Sequence, residues 1–327
     1  MPKTFTDLVR HTLSGPTMGT RWSALFHASP AFDPEPVRAA MAAAVAEVDA
    51  QMSTWKPDSD LNRLSAAGPG EWVLLPAPLM EVLSAGLDVG RATGGAFDIG
   101  MGDAVTAWGF GADQADEDRI RAARAKPRRP AHECLELDRA GGRARKNQPM
   151  VFDLSGIAKG YGVDRLAHVA RSFGVNDALL AIDGELRALG SQPDGTAWTV
   201  AVEAPEPDRR APHSILELSD TAVATSGDYR HGVQVGTRRL GHTMDPRRGM
   251  PLAASPASVT VLAGDCMTAD AWATAMMVLG QERGLTFART IGLSVLFLSG
   301  RGTESVGTGS FAPITPLPMT GARPISG

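Results

Sequence analysis

The run Ser258-Val259-Thr260-Val261-Leu262-Ala263, followed after Gly264 by Asp265-Cys266-Met267-Thr268-Ala269-Asp270-Ala271-Trp272-Ala273-Thr274-Ala275, decides how this chain folds. Its first half is apolar, β-branched and of strand length, so it reads as a buried strand; its second half reads as the start of a helix. Residues four apart on a helix share a face, which brings the Asp270 carboxylate and the Thr274 hydroxyl together at a strand-to-helix corner. Two readings fit. Hard oxygens suit Mg2+ or Ca2+; alternatively, Asp270 caps the first turn and Thr274 bonds back to a carbonyl of its own helix.

Outward from that corner, residues 178–182, 198–202, 214–218, 222–224 and 293–298 also read as strands, and helices intervene only twice between Met150 and the C-terminus. Strands adjacent in sequence favour an α+β fold, with mixed or antiparallel sheets flanked by helices, over a doubly wound sheet. Upstream, a short strand spans 21–26, and Asp33-Pro34-Glu35-Pro36 opens a helix whose Val37, Met41, Val45, Val48 and Met52 form one apolar stripe. A second helix runs from 78 to 93 and stops at Gly94-Gly95. The charged segment 119–129 reads as the solvated face of a surface helix ending at Pro127.

A chain of 327 residues can bury a core as one large domain with two closely packed lobes, here placed at 16–318 between an N-terminal extension (1–15) and a tail (319–327). With 21% charged residues and a net charge of −4, nucleic acid is excluded as a first-choice partner. Cys134 and Cys266 have no metal or disulfide spacing. No apolar stretch reaches the length of a membrane span, and the start lacks a signal-peptide core, so the expectation is cytoplasmic; a removed leader would instead make it periplasmic or membrane-anchored.

Four further segments combine polar chemistry with glycine. In Asp153-Leu154-Ser155-Gly156-Ile157-Ala158-Lys159-Gly160, a strand turning into a helix, the glycines allow close approach of a ligand and Lys159 supplies a charge for phosphate; a capped helix start with a solvated lysine fits equally. The spacing is not that of a P-loop, and no GxGxxG opens a helix. Ala224-Thr225-Ser226-Gly227-Asp228-Tyr229 and Gly241-His242-Thr243-Met244-Asp245-Pro246 read as polar turns after strands, where His242 is a general base or a turn residue. Gly95-Ala96-Phe97-Asp98 reads as a backbone clamp or a helix stop.

In order, these segments, together with Thr17-Met18-Gly19-Thr20, Met52-Ser53-Thr54-Trp55 and Trp108-Gly109-Phe110-Gly111, resemble the ApbE family of flavin transferases over most of the chain. The resemblance implies the ApbE fold and a Mg2+-dependent FAD:protein FMN transferase, which cleaves FAD, joins FMN by a phosphoester to a Thr or Ser of an acceptor flavoprotein and releases AMP. It places metal ligands at Asp270, Thr274 and the Gly156 carbonyl. FAD contacts fall on Met18, Trp55, Ala96, Phe97, Asp98, Asp153, Lys159, Thr243 and Met244. Phosphoryl transfer needs a divalent ion, a cation on the phosphates and a base; Lys159 is that cation and His242 the base, with Asp228 or Asp245 as substitutes. An FAD pyrophosphatase or a non-catalytic FAD binder would use the same residues. The family carries tyrosine at position 55 and glycine at position 183; an aspartate at 183 would crowd the site or repel a phosphate if that glycine adopts positive φ.

Overall fold

The computed structural model describes residues 8–125, 127–206, 211–228, 232–235, 238–253, 255–300 and 304–312. In chain order the elements begin with β1 (Val9–Thr17), β2 (Thr20–Ala28), α1 (Glu35–Met52), α2 (Asp60–Ala66), β3 (Val73–Leu74) and α3 (Ala77–Ala92). Next come α4 (Gly102–Ala107), α5 (Glu117–Ala125), α6 (Ala131–Cys134), β4 (Leu135–Asp138), β5 (Arg143–Lys146) and α7 (Ala158–Ser172). The strands β6 (Ala178–Ile182), β7 (Glu185–Leu189), β8 (Trp198–Glu203), β9 (Pro212–Leu218) and β10 (Ala222–Gly227) follow. The last group is β11 (Gly232–Val235), β12 (Arg238–Gly241), β13 (Met244–Asp245), β14 (Met250–Pro251), β15 (Ser258–Ala263), α8 (Cys266–Ile291), β16 (Ser294–Ser299) and β17 (Glu304–Gly307).

Strand periodicity dictates the main sheet. In β2, Trp22, Ala24 and Phe26 point inward at every second residue; β15 is buried on both faces and therefore sits centrally. The sheet has eight strands in the order β1-β2-β6-β7-β10-β15-β16-β17, and each neighbouring pair is antiparallel. This is the α+β arrangement the sequence led us to expect. One face packs on α1, α7 and α8; the opposite face, with Val223, Leu262, Leu296 and Leu298, packs on the β8–β9 ribbon through Trp198, Leu216 and Leu218. The second lobe gathers α2, α3 and the small β3-β5-β4 sheet around Leu61, Leu79, Leu83, Phe97, Ile99 and Phe152.

Helix α8 is the shared wall. Its Ala271 and Ala275 belong to the second lobe's core, Ala269, Ala273 and Met276 to the sheet's, and Cys266 to the cluster under α7. Small residues on several faces let it run between layers, and it kinks at Gly280, where φ is 73°. At Gly160 the crossing with α7 is so close that a Cβ would overlap the Cys266 carbonyl oxygen and lie 2.8 Å from Asp270 Cβ.

Several local expectations change. Residues 9–15, expected in an N-terminal extension, form most of edge strand β1, and 1–7 lie outside the described residues, as do 319–327. The short strand expected at the start of the segment from Asp153 does not form: Asp153 N–H donates to the Ile99 carbonyl, and no ladder continues. Residues 225–227, read as a turn, continue β10, because β15 pairs with them to the end. Arg128 is not a solvated face residue; it is nearly buried, with Nη2 2.8 Å from Asp103.

Gly160→Ala is expected to destabilise the protein by about 1–3 kcal/mol through overpacking, read as a lower urea midpoint at unchanged m-value. A midpoint equal to the parent's would mean that α7 and α8 can separate freely.

Candidate functional site

Asp265, not Asp270, caps α8: its side chain accepts from Thr268 N–H at 2.8 Å. Asp270 is thereby released from the capping role. It is buried, and its Oδ2 accepts from Gly160 N–H at 3.0 Å, across the α7–α8 crossing. Nor is Thr274 seen bonding back along its helix; its Oγ1 lies 3.2 Å from Ser226 Oγ on β10. Gly156 packs against the same hydroxyl, since a Cβ at 156 would fall 2.8 Å from Thr274 Oγ1. The 156 backbone, the Asp270 carboxylate and the Thr274 hydroxyl thus converge where α7 and α8 meet.

Among the described residues no three His, Cys, Asp or Glu side chains form a metal-ligand group. A cation at this corner would be held by one carboxylate, a hydroxyl, a backbone carbonyl and water. That set of hard oxygens fits Mg2+ or Ca2+ and not a thiolate- or imidazole-seeking ion.

The charges around the corner are unbalanced. Lys159 Nζ is 2.9 Å from Glu185 Oε1 and 3.7 Å from Asp183 Oδ2. Burial draws Lys159 down, but Glu185, Asp270 and Asp183 outweigh it and raise its pKa above the ordinary value. Burial pushes Glu185 up to about 8 and Asp270 up to about 6, against the pull of Lys159 on both. Glu185 Oε2 is buried with no hydrogen-bond partner. Sequence reasoning passed over Glu185 as a site residue; the signal available was an acid two residues past the displaced glycine.

Burial also raises Asp153, opposed by the Ser155 N–H and hydroxyl and by the charge of His242. His242 is 43% exposed, with Nδ1 3.7 Å from Asp228 Oδ1 and its ring edge-on to Phe110. Asp228 is heavily engaged: Oδ1 accepts from Thr243 Oγ1 at 2.6 Å, and Oδ2 from Ser255 Oγ at 2.7 Å. Thr243 and Met244 are both buried beside it. Asp245 accepts from Arg247 N–H as a turn residue. Tyr229 lies outside the described residues.

The expected FAD contacts line up along neighbouring segments. Gly95 has φ of 82° and leads into Ala96, which is half-buried, and buried Phe97. Asp98 is half-buried, accepts from the Gly100 and Ala131 N–H groups, and is raised by burial. Asp153, hydrogen-bonded to Ile99, brings this run beside Gly156. Trp55 is 63% exposed on a loop that Asn62 clamps by donating to the Ser53, Thr54 and Lys56 carbonyls, a role not foreseen in the sequence. Met18, at the β1–β2 turn with φ of 44°, packs over Gly162 of α7. Asp164, also unforeseen, accepts from the Cys266 and Met267 N–H groups and pairs with Arg187, fixing the start of α8.

The family model for the ApbE family matches residues 18–297. An FAD:protein FMN transferase of Vibrio cholerae is 35% identical over 92% of this chain and 91% of its own length. One from Klebsiella pneumoniae is 34% identical over 88% and 83%. The solved flavin transferase ApbE from Vibrio cholerae superposes with a TM-score of 0.83 at 34% identity, covering 94% of this chain and all of the other. The apo flavinyl transferase ApbE of Pseudomonas stutzeri gives 0.82 at 34% identity, covering 93% and 96%.

Because burial raises Glu185 when folded above the ordinary value of 4.5, the folded state holds the extra proton, and the stability this contributes falls as pH rises from there towards about 8. Urea midpoints of the metal-free protein are expected to fall across that range and to fall less in Glu185→Gln; equal slopes would remove Glu185 as the cause.

Proposed function

The chain belongs to the ApbE family, and from that premise we propose that it is a Mg2+-dependent FAD:protein FMN transferase acting on a Thr or Ser of an acceptor flavoprotein. The observation that carries this reading is the meeting of Asp270, Thr274 and the 156 backbone beside Lys159. That corner combines a hard-cation donor set with a fixed positive charge, as transfer at a diphosphate requires. We assign the activity to one unit, the 16–318 span of the sequence reading extended at its start to take in β1 (Val9–Thr17).

Asp270, Thr274 and the Gly156 carbonyl would hold the metal, which when bound neutralises charge on the diphosphate oxygens. Lys159 is kept cationic by its acidic neighbours and binds the phosphates. Phe97, Ala96, Asp98 and Asp153 line the approach for the dinucleotide, with Met18, Trp55, Thr243 and Met244 around it. His242 takes the proton of the acceptor hydroxyl. The hydroxyl oxygen bonds to the FMN-side phosphorus, the bond from that phosphorus to the bridging oxygen breaks, and AMP leaves with the bridging oxygen. Asp228 is engaged by Thr243 and Ser255, which suits holding the His242 segment in place better than proton transfer.

Incubation with FAD, Mg2+ and such an acceptor is expected to add the mass of FMN to the acceptor and release AMP. Free FMN with an unmodified acceptor would make the protein an FAD pyrophosphatase, and intact FAD a binder. His242→Ala is expected to slow transfer by about 10²–10⁴-fold, the scale of a lost general base, with FAD affinity retained. Parental rates across the pH range would remove histidine from the chemistry. Asp270→Asn is expected to abolish stimulation by Mg2+, seen by titrating the metal into single-turnover reactions; an unchanged metal response would place the ion elsewhere.

A further inference from the structure

Asp183 occupies the turn between β6 and β7, with only Gly184 beside it before Ile182 pairs with Glu185. Its φ is +53°, the left-handed region that L side chains avoid. Glycine and, among side-chain-bearing residues, aspartate and asparagine accept that region most readily. What singles out residue 183 is not the turn, which a short polar residue suits, but that its side chain is used.

The side chain's environment says for what. Lys159 has two carboxylates on its ammonium: Glu185 at 2.9 Å, buried, and Asp183 at 3.7 Å, 55% exposed. Glu185 holds the ammonium from the protein interior. Asp183 holds it from the solvent side, where an arriving anion must make contact. An exposed ion pair at this separation, screened by water, holds weakly, so the Asp183 contact is readily displaced. The buried Glu185 contact is not.

We propose that Asp183 is a displaceable counter-ion that covers the outer face of Lys159 in the empty site and sets how strongly an anionic diphosphate can bind there. Resting on the reading of the corner as a diphosphate site, the inference makes residue 183 a determinant of affinity rather than a ligand. The incoming diphosphate exchanges with the Asp183 carboxylate on Lys159, and the displaced carboxylate returns to water. No bond is made or broken. Since Asp183 repels a diphosphate as well as competing with it, anions whose charge is partly neutralised by a bound divalent cation are favoured over free ones.

The test separates charge from backbone strain. Asp183→Asn removes the charge and keeps a side chain that tolerates positive φ; Asp183→Gly removes charge and strain together. Dissociation constants are measured for FAD by flavin fluorescence and for inorganic pyrophosphate by calorimetry, each with and without Mg2+, at low and high salt. Both variants are expected to bind both ligands about fivefold more tightly without Mg2+, the scale of one lost like-charge contact. The gain should shrink with Mg2+ and with salt. A gain in Asp183→Gly alone would make the effect one of backbone strain and overturn the proposal. Weaker Mg2+-dependent binding in Asp183→Asn would make Asp183 a metal ligand and overturn it too. If the parent binds pyrophosphate and not FAD, the flavin reading fails while the pyrophosphate comparison still decides the role of Asp183. If the parent binds neither, both fall.

Discussion

The hydrogen bond from Gly160 N–H to Asp270 Oδ2, 3.0 Å long at the crossing of α7 and α8, is the contact on which the rest of the molecule is arranged. It exists only because position 160 has no side chain: a Cβ would collide with the Cys266 carbonyl oxygen. The same closeness brings the backbone of 156, one turn earlier, against Thr274. Asp164 reinforces it from the other end by accepting the Cys266 and Met267 N–H groups. Two helices locked at this separation give oxygens from distant parts of the chain one place to converge.

That geometry carries an electrostatic cost. Asp270 and Glu185 are both buried around Lys159, with Asp183 on its outer side. An uncompensated buried charge costs several kcal/mol, and a protein meets that cost by raising the carboxylate pKa or by admitting a cation. Asp270 and Glu185 show the first response. A divalent ion would supply the second, and the hard-oxygen set beside them is suited to it. The unbalanced charge and the vacated capping role of Asp270 are two consequences of one design.

Much of this was legible in the sequence. The helix stripe from Val37 to Met52, the stop at Gly94-Gly95, and the strands at 178–182 and 258–263 were read correctly because their signals are local: period, proline, glycine and β-branching. That Asp270 and Thr274 share one face of α8, where they meet Gly160 and Gly156, was legible for the same reason. What sequence left open is set by tertiary partners. Whether Asp270 caps its helix depends on Asp265 doing so instead, and whether residues 225–227 form a turn depends on β15 running alongside. Glu185 gains its meaning from Lys159, 26 positions away, and Asn62 from a loop whose carbonyls need donors. The short strand expected from Asp153 onward failed because Leu154 and Ile157 enter the second lobe's core without a neighbouring strand.

Backbone strain is distributed in a way that supports the same centre. Among the described residues, three that are not glycine have positive φ: Met18, Asp183 and Asp220. Asp220 explains itself, since a short polar side chain tolerates that region and here accepts from Gly190 N–H in a surface turn. Met18 has no such polar compensation. It and Asp183 occupy the turns at one end of adjacent strands, with Asp183 N–H reaching the Arg21 carbonyl and Met18 and Ile182 both closing on Gly162. The strain at Met18 therefore lies beside the first turns of α7, the helix that delivers Lys159 and Gly160. It is borne by packing of the sheet against that helix, which is how a fold holds reactive groups in place before any ligand arrives.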